Sequence, residues 1–142
     1  MFAPILIVED DAALARVIDR NLSSRGYRVL WVETSSASVH ALEAGCPLLV
    51  LLDIDLPDGS GWDVLRAMRG QGCLDTPVIV MSGLFPNRRL LKELGCTGVL
   101  EKPFPIETLI RLVGERAECP STAAFHGGQT GGIRARDGGG EI

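Results

Sequence analysis

The sequence predicts an α/β domain built as (βα)5, a parallel five-stranded sheet with helices on both sides. Three observations carry that prediction. Five short apolar runs recur along the chain, a helical apolar period follows each of them, and Gly26, Gly45 and Gly95 stand where a helix hands over to the next strand. Most of the runs are continuous rather than alternating, as expected of strands covered on both faces. Regular alternation with short connections makes the sheet parallel and the crossovers right-handed.

The elements follow in order. PILIV (Pro4 to Val8) is the first strand and stops at Glu9-Asp10-Asp11. Leu14, Val17, Ile18 and Leu22 then repeat at helical spacing, and Gly26 supplies the left-handed residue that commonly ends a helix. YRVLWV (Tyr27 to Val32) is the second strand, and a weaker helical pattern around Val39 and Leu42 ends at Gly45. PLLVLL (Pro47 to Leu52) is the third, followed by Val64, Leu65 and Met68; PVIVM (Pro77 to Met81) is the fourth, followed by Leu90, Leu91 and Leu94. TGVL (Thr97 to Leu100) is the fifth, and Ile106, Leu109, Ile110 and Val113 mark the last helix. From Glu118 the chain reads ECPSTAAFHGGQTGGIRARDGGGEI, rich in Gly, Ser and Thr and without apolar period. We therefore expect one domain over residues 1–118 and a flexible glycine-rich tail or linker over 119–142.

Composition narrows the function classes. With 142 residues, 46% hydrophobic and 23% charged, the chain has the profile of a single soluble domain with enough length for a real core. A net charge of −4 and a pI near 5.1 give no electrostatic footprint for nucleic acid or an anionic membrane. The apolar stretch from Phe2 to Val8 has no basic residue before it and runs into three acids, which fits neither a signal peptide nor a membrane span. A cytoplasmic location is expected. Cys46, Cys73, Cys96 and Cys119 lie 27, 23 and 23 residues apart, without the paired spacing of zinc or redox sites, and read as free thiols in a reducing compartment.

The polar residues at the strand ends define a site. In an open doubly wound sheet, ligands bind outside the carboxyl ends of the strands, where strand order reverses. Glu9 and Asp10 follow the first strand, Asp53 ends the third, Ser82 follows the fourth and Lys102 the fifth. In the flavodoxin-like order 2-1-3-4-5 the first and third strands are central neighbours, so Glu9, Asp10 and Asp53 converge. Three carboxylates together repel, so either a pKa rises or a cation enters. A hard divalent ion, Mg²⁺ foremost, suits such oxygen ligands, and Lys102 adds a positive charge on the far side. Of the three aspartates in LLDIDLPDGSG, Leu51 to Gly61, Asp53 faces this site. Strand alternation is expected to turn Asp55 toward the rim, and Asp58, in Pro57-Asp58-Gly59, reads as turn chemistry.

ILIVEDD, LLDIDLPDGSGWDVL, VIVMSG and GVLEKPF, in that order over residues 4–116, resemble the receiver domain of two-component response regulators. The resemblance implies that Asp53 accepts a phosphoryl group from a sensor histidine kinase or a phosphotransfer protein. It implies that Mg²⁺ is held by Asp10 and Asp53 directly, by Glu9 mainly through water, and by the backbone carbonyl of Asp55. Ser82 becomes the switch hydroxyl, Lys102 the contact to the phosphoryl oxygens, and the Lys102-Pro103 bond cis. A carboxylate can attack phosphorus to give an aspartyl phosphate, with the protein supplying position and charge neutralisation. Such a domain signals rather than turns over. Two departures concern the readout: Val99 occupies the place of the family's usual switch aromatic, and the stretch from Ser82 to Lys102 is slightly short.

The rival reading is a haloacid dehalogenase-like phosphatase using Asp53 as nucleophile and Asp55 as acid/base, although here the partner acids lie upstream. A dinucleotide site fails, because Glu9-Asp10-Asp11 stands where a glycine-rich loop would be. The tail is too short and glycine-rich for a DNA-binding module. Output is therefore expected through a downstream protein partner, a separate output domain or a phosphorylation-dependent homodimer. The surface expected to serve it is the fourth helix, fifth strand and fifth helix, with Leu84, Phe85, Arg88 and Arg89. Trp31 and Trp62 read as packing residues, and His40 and His126 as surface residues.

Overall fold

A computed structural model of the chain describes residues 3–58, 61–83, 88–93 and 95–117. The expected tail, with Cys119 and His126, and the pair Leu84 and Phe85 lie outside the described residues. The strands are β1 (Ile5–Val8), β2 (Val29–Val32), β3 (Leu49–Asp53), β4 (Val78–Ser82) and β5 (Gly98–Glu101). Between and after them run α1 (Ala12–Ser23), α2 (Ser35–Glu43), α3 (Gly61–Gly70), α4 (Arg88–Glu93) and α5 (Ile106–Arg116). The five strands form one parallel sheet in the order β2-β1-β3-β4-β5, the expected flavodoxin-like topology.

Two cores explain why the strands read as continuous apolar runs. Successive side chains leave a strand on opposite faces. Ile5, Ile7, Leu49, Leu51, Ile79 and Met81 pack on one face under α1 and α5, against Ile18, Leu22, Leu109 and Val113. Leu6, Val8, Val50, Leu52, Val78 and Val80 pack on the other under α2, α3 and α4, against Leu42, Val64, Leu65, Met68 and Leu91. Each such side chain contributes about 1.5–3 kcal/mol when fully buried. A polar residue in either register would therefore face a core, and the strands exclude one until they end.

The helix boundaries also have local causes. Asp11 caps α1, its carboxylate accepting from the N–H groups of Ala13 and Leu14 at 3.0 and 3.2 Å. Gly26 and Gly95 take φ values of 95° and 82°, the left-handed conformation expected past the ends of α1 and α4. α2 is the weakly patterned helix because its buried face is partly serine. Ser35 and Ser38 are buried beside Leu42, and the Ser38 hydroxyl donates to the Ser35 carbonyl at 2.6 Å.

The expectation of free thiols is overturned at two positions. Cys46 and Cys73 form a disulfide, with Cα atoms 5.6 Å apart. Cys46 precedes β3 and Cys73 precedes β4; these strands are parallel neighbours, so topology brings together residues that sequence spacing separates. Cys96 remains a free, half-buried thiol, which burial pushes up to about 11. Among the described residues no helix is long and apolar enough to cross a membrane.

Candidate functional site

The strand register places the site residues at the last position of a strand or one step past it. Val8 pairs with Leu52, so Glu9 follows β1 at the level where Asp53 closes β3. Ser82 pairs with Glu101, and the Lys102 N–H donates to the Ser82 carbonyl at 2.7 Å, which sets Lys102 at the same edge. The Lys102-Pro103 bond is cis. Carboxylate oxygens of Glu9, Asp10 and Asp53 lie within 4.8 Å of one another, Glu9 and Asp53 buried and Asp10 exposed.

Each acid has a different environment. Glu9 is fully buried; its Oε1 accepts from Lys102 Nζ at 2.7 Å and its Oε2 from the Asp11 N–H at 3.1 Å. Burial pushes its carboxyl up to about 7, against the Lys102 and Asp11 hydrogen bonds, which pull it down; nearby Asp53 adds to the rise. Lys102 is held above its ordinary value: burial alone would lower it, but the hydrogen bond and charge of Glu9, then of Asp53, outweigh burial. Asp53 receives the Asp55 N–H on Oδ1 at 2.9 Å and keeps Oδ2 3.5 Å from Lys102 Nζ. The donor set is all oxygen, anionic and open on the Asp10 side, which fits a hard divalent cation.

Ser82 is buried at the end of β4, on the same edge. Asp55 is exposed, as expected, though not through alternation: a period of two would put it on the same side as Asp53. β3 ends at Asp53, and the turn beyond it points Asp55 outward. Its carboxylate is not in the acidic cluster, which removes the acid/base that a dehalogenase-like phosphatase needs. Val99 is half-buried against the second core, so a packed aliphatic residue fills the usual aromatic position.

Several contributions were invisible in the sequence. Asp58 does more than turn chemistry: its Oδ1 and Oδ2 accept from the N–H groups of Ser35 and Ser36 at 2.8 and 3.2 Å, so the β3–α3 loop caps α2. Those two backbone hydrogen bonds hold its carboxyl below the usual carboxylate range. Gly61 lies against the same loop, where a Cβ would meet Ile54 Cα at 2.8 Å and the Asp53 carbonyl oxygen at 2.9 Å. Trp31 packs against the first core, as expected, but its indole also donates to the Glu9 carbonyl at 2.8 Å. Asp11 had a legible signal, an aspartate directly before an apolar helical period. The others join segments distant in the chain.

Fold and site together define a doubly wound domain with an acidic cluster able to hold a cation where strand order reverses. Residues 5–114 match the response regulator receiver domain, and the chain belongs to that family. It is 33% identical over 108 residues to the transcriptional regulatory protein KdpE of Mycobacterium tuberculosis, covering 75% of this chain and 47% of that protein. It is 37% identical over 108 residues to the transcriptional regulatory protein YkoG of Bacillus subtilis, again covering 75% and 47%. The chain thus spans about half the length of these curated relatives. Among solved structures, a CheY-like receiver domain protein from Methanospirillum hungatei superposes with a TM-score of 0.74 at 26% identity, covering 81% of this chain and 93% of that one. The receiver domain of a Pseudomonas aeruginosa sensor histidine kinase, which has a magnesium ion coordinated in its active-site cleft, gives 0.70 at 29%, covering 82% and 98%.

Proposed function

We propose that this receiver domain takes a phosphoryl group onto Asp53 from a histidine kinase or phosphotransfer protein and passes the change to a protein partner. The observation that carries the reading is the placement of Asp53 Oδ2: 3.5 Å from the Lys102 ammonium, within the cluster shared with Glu9 and Asp10, at the carboxyl edge of the central strands. A carboxylate oxygen of Asp53 attacks phosphorus as the donor's bond to phosphorus breaks. Lys102 lies near enough to pair with a phosphoryl oxygen, and Ser82 offers a hydroxyl from the adjacent strand end. Mg²⁺, held by Asp10, Asp53 and the Asp55 carbonyl and through water by Glu9, would neutralise charge on the phosphoryl oxygens. The presence of magnesium in the Pseudomonas aeruginosa cleft supports that assignment.

Asp53 acts once per donor, so the chain serves as a stoichiometric acceptor. Its output passes to a downstream protein partner or a separate output domain, with residues 119–142 as tail or linker; the transcriptional regulators it resembles, about twice the matched length, support the second form. We place the domain in the cytoplasm, where the Cys46–Cys73 bridge meets a reducing pool. Intact-mass measurement after incubation with acetyl phosphate and Mg²⁺ tests the reading. Wild type, Asp55→Asn and Asp58→Asn should gain one phosphoryl group, and Asp53→Asn none. Equal labelling of Asp53→Asn would refute the assignment. Repeated release of phosphate from a monoester would refute the stoichiometric role.

A further inference from the structure

We propose that Trp31 is a positioning residue for the cation site, its indole N–H fixing the peptide unit that joins Glu9 to Asp10. The proposal rests on the reading that this cluster binds a divalent cation. The β1–β2 ladder ends with Val8 opposite Val32, and the Glu9 N–H still bonds the Val32 carbonyl at 3.1 Å. Beyond that point the next carbonyl, that of Glu9, receives a side-chain donor: Trp31 Nε1 at 2.8 Å. Trp31 can make this bond because it pairs with Ile7, two residues before Glu9, and its long, flat side chain runs along the first core toward the sheet edge.

A peptide unit is planar, so holding its oxygen while the Glu9 N–H is bonded to the Val32 carbonyl leaves little freedom in the direction from which Asp10 departs. The turn is also held downstream, where the Asp11 carboxylate caps α1 and the Asp11 N–H bonds Glu9 Oε2. Asp10 itself is exposed, and its distance from the Glu9 and Asp53 carboxylates follows from a backbone clamped at both ends. Trp31 is the upstream clamp. It touches no cation and acts through the geometry of Asp10. Groups that orient metal ligands in this indirect way change affinity by about 10–100-fold when removed.

The test replaces the indole N–H without changing the outline of the ring. The 142-residue chain carrying benzothienylalanine at position 31, in which sulfur stands for the N–H, is compared with wild type and with Trp31→Phe. Mg²⁺ and Mn²⁺ affinities are measured by titration calorimetry, and melting temperatures of the metal-free proteins are measured in parallel. The expected result is Mg²⁺ binding about tenfold weaker in the benzothienylalanine protein, a loss of the size seen for ligand-orienting groups, with little change in its metal-free melting temperature. In the same protein the Asp10 and Asp11 amide resonances should shift more than those of the two cores. Unchanged Mg²⁺ affinity, with or without a lower melting temperature, would overturn the role of Trp31 and leave the cation reading standing. Wild-type protein that binds neither Mg²⁺ nor Mn²⁺ would overturn both.

Discussion

Replacing Glu9 with glutamine should remove a specific pH dependence from the metal-free protein. Glu9 is fully buried, and its carboxyl is raised from 4.5 to about 7. Between those values the folded protein holds a proton that the unfolded chain has lost, so stability is greatest below about 4.5 and falls as pH rises through about 7. Each tenfold change in proton affinity is worth about 1.4 kcal/mol, so the full rise would correspond to about 3 kcal/mol. The Asp10 side of the cluster is open to water, and a discounted figure on the order of 2 kcal/mol is the expected size. For a domain of this length that corresponds to roughly 8 °C in melting temperature. Glutamine keeps the size of the side chain and one carbonyl acceptor, for either Lys102 or the Asp11 N–H, and does not titrate, so its overall stability is set aside and only its pH slope is compared. In chelator-treated protein melted at pH 5 and pH 8, wild type should lose stability toward pH 8 and Glu9→Gln should lose much less. Saturating Mg²⁺ should reduce the wild-type difference, because the cation favours the ionised cluster. Equal slopes in the two proteins, or wild-type stability that rises from pH 5 to pH 8, would refute the reasoning.

Asp10→Asn should weaken Mg²⁺ binding in calorimetric titration while leaving the metal-free fold equally or more stable, since it removes one of three repelling carboxylates. Cys46→Ser opens a loop whose ends are 27 positions apart and that encloses β3, Asp53 and α3, and should cost about 3–4 kcal/mol in denaturant melts, with reductant having the same effect on wild type. Asp58→Asn should lower the melting temperature and flatten the acid limb: the carboxyl is depressed, so its contribution is present above about 3.8 and lost as pH falls through its lower folded value. Gly61→Ala should slow phosphorylation of Asp53, because the added Cβ meets Ile54 Cα and the Asp53 carbonyl oxygen; an unchanged labelling rate would show that the loop gives way freely.

The sheet was legible because its two faces are both apolar, so each strand announces itself until a polar residue can leave the core. That same rule exposes Glu9, Asp53, Ser82 and Lys102, each just at or past a strand end. Strand starts were less legible: Pro4, Pro47 and Pro77 sit before their strands rather than in them, since proline has no N–H to give a ladder. α2 was faint because hydrogen-bonded serines replace apolar residues on its buried face. What sequence could not show are contacts made through space. Trp31 reaches Glu9 across 22 positions, Asp58 reaches Ser35 across 23, and Cys46 reaches Cys73 across 27. No local period or propensity encodes such pairs.

Over its described residues, Arg88–Glu93, α4 has one buried side chain, Leu91. Helices of a few turns are marginal on their own in water, so the order of α4 is supplied by the sheet it covers. Unravelling it uncovers little apolar surface compared with opening α1 or α3, which carry three or more buried side chains each. It is therefore the described helix with the lowest expected cost of local opening, and its amides should exchange with solvent ahead of those of α1 and α5. Were the proposed phosphorylation of Asp53 to disturb the carboxyl edge beside Ser82, it would need no hinge and no rotating ring to be felt here. A small change in the free energy of local unfolding is enough to alter how often the Arg88–Arg89 face is presented as a helix at all.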